Sequence, residues 1–446
     1  MSKLNELSAV VSISYQKFFS VVRKIKFALL FNVRLEFVRG HEIHFMQKLI
    51  FCKDEAMLPR SHGHYVAHTC LIRADVIYFY KFEFVRGNML FYLGDFLRKN
   101  FDFGPSRLLQ SYAVLIVVAL YLGFFCCLKL LPKFYKFLPH DRGREFTLTA
   151  EAAKGKPTGA GAVFITLFVL ICLLCVPLTF LEGAAIFFTW LTMLTGFLDD
   201  ASTVSWGEYL KGALDLIISV AFSVIIYFCI AKFSEDGGVY FWLPFVTSPL
   251  KISFWLYVAI GTILIWTSIN TTNCTDGVDG LSSTLILVAL MTLGIIFYVV
   301  LGHIDMAKYL LVPHLKTGAA WGIMIFAMAG ILMGYLWHNA FPSNVLMGDA
   351  GSRALGFFIG ACVLVSGNPF ILLATSSVML MNGGTGLIKV ALLRFFKIKI
   401  FANVRFPLHD HVRKNLDWSP AQVLLRFLIL QLLITIFTLG IFFKIR

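Results

Sequence analysis

Apolar residues run along this chain in long blocks, separated by short polar stretches rich in Gly, Asp, Asn and Lys. Ten blocks approach the length needed to cross a bilayer: roughly 111–131, 160–181, 183–198, 213–231, 253–269, 283–301, 317–337, 354–366, 369–391 and 422–443. Residues 160–198 are too long for one crossing at ~1.5 Å per residue, and Pro177 with Glu182 marks the break. Ser366-Gly367-Asn368-Pro369 separates the eighth and ninth spans in the same way. The predicted fold class is an all-α polytopic membrane protein with about ten transmembrane helices, because backbone exposed to lipid must satisfy its own hydrogen bonds.

Composition strengthens this picture. A 446-residue soluble chain would suggest two or three domains, but 58% of these residues are hydrophobic and only 14% are charged. Mean hydropathy is +0.79. The net charge of +14 suits a basic membrane face or anionic ligands. Nucleic acid is a poor partner, since no soluble basic domain is evident. Cys172 and Cys175 form a C-x-x-C inside an apolar run, where core packing outweighs redox or zinc chemistry.

Span parity places the loops 132–159, 199–212, 270–282, 338–353 and 392–421 on one side of the membrane. The first holds Lys133, Lys136, Arg142, Arg144, Lys154 and Lys156; the last holds Arg394, Lys397, Lys399, Arg405, Arg413 and Lys414. Opposite loops offer only Lys232, Lys251, Lys308 and Lys316, partly offset by Glu235, Asp236 and Asp305. The positive-inside rule makes the basic face cytoplasmic. Residues 1–88 differ, with 13 Lys/Arg, 7 Asp/Glu and five histidines but no clean span. They are expected to be an appendage or an upstream translation, with 89–446 forming the transmembrane domain and Met89 a plausible start.

Every polar cluster falls on that same face, and carboxylates at the membrane read as functional. Asp199-Asp200 follows Thr195-Gly196-Phe197-Leu198; adjacent carboxylates repel unless a cation or a shared proton relieves them, although a solvated helix end is the bland reading. Asn273-Cys274-Thr275-Asp276-Gly277-Val278-Asp279-Gly280 alternates glycines with aspartates, so that backbone amides and carboxylates can both face a ligand. A tight turn would need fewer such residues. Met347-Gly348-Asp349-Ala350-Gly351-Ser352 resembles a helix N-terminus suited to phosphate, with Asp349 either holding the accompanying Mg²⁺ or capping the helix.

His409-Asp410-His411 is expected to place two imidazoles on one side of an extended stretch. Contact with a pyrophosphate or acid–base work fits them better than zinc, for which a third ligand is missing. Lys154-Gly155-Lys156-Pro157-Thr158-Gly159 is a basic, glycine-rich lead into the second span. It lacks Walker A spacing, and lipid anchoring is its bland reading. Together these parts suit phosphoryl transfer between a nucleotide-borne donor and a lipid acceptor.

From about Met89 to the C-terminus the chain resembles the phospho-N-acetylmuramoyl-pentapeptide transferases, within the polyprenyl-phosphate N-acetylhexosamine-1-phosphate transferases. The matching residues are Lys-Pro-Thr-Gly-Ala-Gly at 156–161, Gly196–Asp200, Asn273–Leu281, Asn339 ahead of Met-Gly-Asp-Ala-Gly-Ser, and Pro407–His411 with Trp418. The resemblance implies transfer of phospho-MurNAc-pentapeptide from UDP-MurNAc-pentapeptide to undecaprenyl phosphate at the bacterial inner membrane, giving lipid I and UMP. It implies Mg²⁺ at Asp349, Asp199 as the base toward the acceptor with Asp200 in support, and donor contacts from His409 and His411. Asn273, Asp276, Gly277, Val278 and Asp279 would line the uridine region with Asn339 nearby, and Lys154, Lys156 and Thr158 would belong to the substrate site. Membrane transferases often dimerise, so a homodimer is open.

Four departures from the family pattern stand out. The family's three histidines are His-Asp-His, a lysine after the aspartate pair is Thr203, the basic-loop lysine position is Ala153, and Pro-Thr-Met-Gly-Gly is Pro-Thr-Gly-Ala-Gly. The alternatives are a sibling enzyme that uses UDP-N-acetylglucosamine and, from another class, a transporter. A transporter should place its carboxylates at mid-membrane and show a repeat between halves.

Overall fold

A computed structural model describes residues 88–444, apart from 102–103, 142, 144–153, 205, 235 and 247. Of the expected appendage at 1–88 only Asn88 is among the described residues, and Arg142, Arg144 and Ala153 also lie outside them. The described chain is almost wholly helical: α1 (Met89–Phe101), α2 (Tyr112–Phe134), α3 (Gly161–Cys175), α4 (Phe180–Ala201) and α5 (Glu208–Phe233), then α6 (Phe254–Thr275). After these come α7 (Leu281–Leu301), short α8 (Ile304–Tyr309), α9 (Gly318–Asn339), α10 (Gly348–Val365), α11 (Ile371–Phe396), short α12 (Leu408–Asn415) and α13 (Pro420–Lys444). One small antiparallel hairpin, β1 (Val239–Phe241) and β2 (Leu250–Ile252), links α5 to α6 with Tyr240 opposite Lys251.

Among the described residues nine helices are long and apolar enough to span a membrane, and α3, at 15 residues, is a shorter tenth. The polytopic all-α expectation therefore holds. Both sequence breaks are real. α3 stops at Cys175 ahead of Pro177, and Thr179 with Glu182 forms the capping box that opens α4. α10 ends at Val365 and the next helix begins at Ile371, with Asn368 Oδ1 accepting the Phe370 amide at 3.0 Å.

The spans expected at 183–198, 213–231, 253–269 and 354–366 stop short of the helices that form. α4 continues to Ala201, α5 starts at Glu208, α6 continues to Thr275 and α10 starts at Gly348. Hydropathy trims a span wherever polar residues appear. Here several of those residues, Asp199, Lys211, Asn273 and Asp349 among them, find partners on other segments, and the helices carry on through them.

Helix α10 is the axis of the bundle: all of its residues from Gly348 to Val365 are buried. Lipid supplies no hydrophobic drive between helices, so close packing of small residues must do the work. A Cβ on Gly161 of α3 would overlap the backbone of Gly351, and one on Gly196 of α4 would overlap the Asp349 carbonyl. Gly356 and Gly360 lie against Ser268, Ile269 and Ile265 of α6, and Ser268 Oγ donates to the Gly356 carbonyl at 2.7 Å. The outer helices expose apolar side chains such as Leu433, Ile436 and Phe437 of α13, as a lipid-facing surface requires.

Candidate active site

Asp199 and Asp200 lie in the last turn of α4, and the helix aims them differently. Asp199 Oδ1 accepts the Trp206 amide at 2.7 Å, while its Oδ2 meets Lys211 Nζ at 2.5 Å. Asp200 turns to α10, where its two oxygens accept the amides of Asp349 at 3.1 Å and Ala350 at 3.0 Å. A carboxylate supplied from another helix thus caps α10, where free N–H groups and the dipole both favour negative charge. Gly348 makes this approach feasible: its φ is +71°, and a Cβ there would overlap the Asp200 carboxylate and Gly159.

Asp349, in the first turn of α10, is buried, and its Oδ2 accepts from Lys211 Nζ at 2.9 Å. Two largely buried carboxylates from different helices therefore converge on one ammonium. Lys211 was absent from the sequence-based site because it sits at the start of an apolar run, and only its proximity to the aspartate pair could have drawn notice.

Metal fit follows from this donor set. Among the described residues no group of three or more His, Cys, Asp or Glu side chains is arranged to hold a metal. A closed zinc site or a full protein cage needs such a group. Mg²⁺ needs less, taking one or two carboxylates and completing its shell with waters and substrate phosphate oxygens. Asp349 and Asp199, already turned to a common cation position, fit that demand.

The 273–280 loop forms the adjoining wall. Asn273 Nδ2 donates to Ser352 Oγ at 3.2 Å, tying the loop to the first turns of α10. Asp276 Oδ1 accepts from Ser282 Oγ at 3.0 Å, and Asp279 Oδ2 accepts the Ser343 amide at 3.0 Å. Lys156 Nζ donates to Ser343 Oγ at 3.1 Å and lies 3.9 Å from Asp279 Oδ2. Lys154 is exposed, and the buried Thr158 fixes its own loop by donating its amide to the Pro139 carbonyl at 2.8 Å. Asn339 is buried, its Oδ1 accepting from the Gly280 amide at 3.0 Å and its Nδ2 donating to the Val345 carbonyl at 3.0 Å. It holds the loop in place from behind.

The histidine motif needs a correction. Residues 408–415 form α12 and not an extended stretch, so alternate residues point to nearly opposite sides. His409 is buried against Asn382 and Gly277. His411 faces away, its Nδ1 accepting from the Arg405 amide at 3.3 Å and lying 3.2 Å from Asn415 Nδ2. Burial, then the nearby Arg413 charge, lowers the His409 pKa from 6.5 to about 4. Asp410 shifts upward because burial outweighs Arg405 and Arg413; Arg405 Nε is 3.9 Å from its Oδ2.

The structure therefore brings Asp199, Asp200 and Asp349 together, joins Asn273 to them through Ser352, and places Lys156, Asp279, Asn339, Gly277 and His409 around the same loop. Lys154 and His411 stand apart from these contacts.

The chain is similar to known proteins over most of its described length. The family profile described as Glycosyl transferase family 4 matches residues 183–367. The phospho-N-acetylmuramoyl-pentapeptide-transferase of Treponema pallidum (strain Nichols) is 57% identical over 344 residues, covering 77% of this chain and 94% of the relative. The protein of that name from Campylobacter jejuni (strain RM1221) is 30% identical over 352 residues, covering 74% and 97%. That from Sulfurimonas denitrificans is 29% identical over 374 residues, covering 80% and 100%.

Proposed function

The chain belongs to the phospho-N-acetylmuramoyl-pentapeptide transferase family, membrane enzymes of the glycosyl-1-phosphate transferase type, and from that premise we propose its substrates, its metal and its residue roles. The donor is UDP-MurNAc-pentapeptide, the acceptor is undecaprenyl phosphate, and the products are lipid I and UMP. The observation that carries this reading is the convergence of Asp199 and Asp349, from separate helices, on the Lys211 ammonium.

An acceptor phosphate oxygen forms a bond to the sugar-bearing phosphorus of the donor. The pyrophosphate P–O bond breaks, and its electron pair leaves with UMP. Asp199, steadied by the Trp206 amide, takes the proton of the acceptor phosphate. Lys211 faces the charge that spreads over the transferring group, since phosphoryl transfer depends mainly on positioning and electrostatics. Asp200 holds Asp349 by its backbone, and the 273–279 loop with Lys156 receives the uridine diphosphate. Mg²⁺, held by Asp349 with Asp199 beside it, supplies neutralisation of the pyrophosphate when bound. The basic loops at the same helix ends support a cytoplasmic-facing site in the bacterial inner membrane.

The test is UMP release by the purified protein offered UDP-MurNAc-pentapeptide or UDP-N-acetylglucosamine with undecaprenyl phosphate, with and without Mg²⁺. Metal-dependent release from the first donor is expected. Preference for the second would overturn the substrate assignment.

A further inference from the structure

Asn382 lies where α11 leaves regular helical winding, in a wide turn at Leu380–Gly384, and it is fully buried. Such turns often serve functional sites. Here the turn brings α11 against α6, with Gly383 close to Cys274 and to the Thr271 carbonyl. The hydrogen bonds around Asn382 have a polarity set at both ends by the backbone. At one end the His409 amide can only donate, and it donates to Asn382 Oδ1 at 2.9 Å. At the other end the Thr271 carbonyl can only accept, and it takes the Thr275 hydroxyl proton at 2.8 Å.

Between those fixed ends no freedom remains. Asn382 Nδ2 must donate both of its protons, one to Thr275 Oγ1 at 3.1 Å and one to His409 Nδ1 at 3.1 Å. A ring nitrogen that accepts leaves the imidazole proton on the other nitrogen. His409 Nε2 points at Gly277, where a Cβ would overlap it.

We propose that Asn382 is a positioning residue that fixes neutral His409 as the Nε2–H tautomer, making the ring a hydrogen-bond donor toward an anionic ligand seated on the Gly277 loop. That the ligand is the donor pyrophosphate rests on the function proposed above; the tautomer does not. A proton on Nδ1 would face the Asn382 amide hydrogens, so the ring resists protonation, in line with its lowered pKa. The charged groups around the ring are Asp410 and Arg413 on its own helix, Arg405 just before it, and Asp276 and Asp279 flanking Gly277. Arg426 of α13 stacks on Trp418. The Leu380–Gly384 turn brings no charged side chain.

The experiment is nitrogen-15 NMR of histidine-labelled whole protein in detergent, with His409→Gln identifying the signal. At neutral pH the His409 ring should be neutral and protonated on Nε2. In Asn382→Asp the carboxylate can only accept, so the proton should move to Nδ1 or the ring should become doubly protonated. Turnover of Asn382→Asp relative to wild type should then be about 10- to 100-fold low near pH 8 and recover toward pH 6, as imidazolium restores the Nε2–H donor. Wild-type His409 protonated on Nδ1, or an Asn382→Asp defect equal at every pH, would overturn the proposal. Absence of wild-type turnover with the muramoyl donor would strike only the functional reading, because the spectrum reads the tautomer without substrate.

Discussion

Lys211 and Asp215 lie one turn apart on α5, and Asp349 and Arg353 lie one turn apart on α10, so the two helices face each other with crossed charges in two successive layers. In the outer layer Lys211 is shared by Asp199 and Asp349, and its side chain keeps 26% of its exposure. In the inner layer both Asp215 and Arg353 are 2% exposed, and Asp215 Oδ1 takes Arg353 Nη2 at 2.6 Å and Nε at 3.2 Å. One layer counts two carboxylates to one cation and opens toward solvent; the other is balanced and sealed. Two carboxylates sharing a single ammonium leave an excess of negative charge that a divalent cation can use. A matched, buried pair sets how two helices sit, and its cost is offset only while both partners remain.

The sharpest way to break this contrast is to remove the excess charge. Asp349→Asn should lower Mg²⁺-dependent turnover by at least about 1,000-fold, while membrane insertion and thermal stability stay near wild type. Stripping metal from the wild type with a chelator should have the same effect, reversed by added Mg²⁺. Substantial activity in Asp349→Asn, measured by UMP release, would remove the metal assignment and the distinction between layers with it.

Next in size is the inner layer. Arg353→Met leaves Asp215 buried without its countercharge and should destabilise the protein by about 3–5 kcal/mol. Adding Asp215→Leu to that variant should restore most of the stability in a thermal melt. If the single variant melts like wild type, the inner pair is not what holds α5 to α10. If the double variant is stable but needs far more Mg²⁺, the two layers are electrically coupled.

The sequence made some of this legible and hid the rest for identifiable reasons. Helix breaks were readable because Pro177, Glu182 and Asn368 act on their own neighbours. The aspartates were readable because each interrupts an apolar run. Their division of labour was not, since Asp200 caps a helix that begins nearly 150 positions later. Lys211, Asp215 and Arg353 were missed for a related reason: a hydropathy pattern registers a charge but not its partner on another helix. His411 was misjudged because period-two spacing implies a shared side only in an extended chain, and residues 408–415 are helical.

His409 offers a smaller effect with a definite sign. Its pKa is lowered by burial from 6.5 to about 4, so the unfolded chain binds a proton there before the folded chain does. Stability from this group is complete above pH 6.5 and is lost as pH falls toward 4, by up to about 3 kcal/mol. Melting temperatures across that range should show the slope, and His409→Gln should flatten it. An unchanged slope in His409→Gln would mean that the ring titrates as it does in the unfolded chain.

The smallest expected effect concerns the basic loop, where two lysines two residues apart have different surroundings. Lys156 reaches Ser343 and Asp279, whereas Lys154 points into solvent. Like the two charged layers, this pair tests whether contact with the site or mere proximity to it gives a charge its role. Lys156→Ala should raise the donor KM by about 10-fold, the size expected for one charge-assisted contact. Lys154→Ala should change it by less than about threefold, and that residual effect should vanish at high salt because an exposed charge is screened. Equal effects for the two variants would mean that the loop attracts the donor by its net charge, and that the Lys156–Asp279 contact has no separate part in binding.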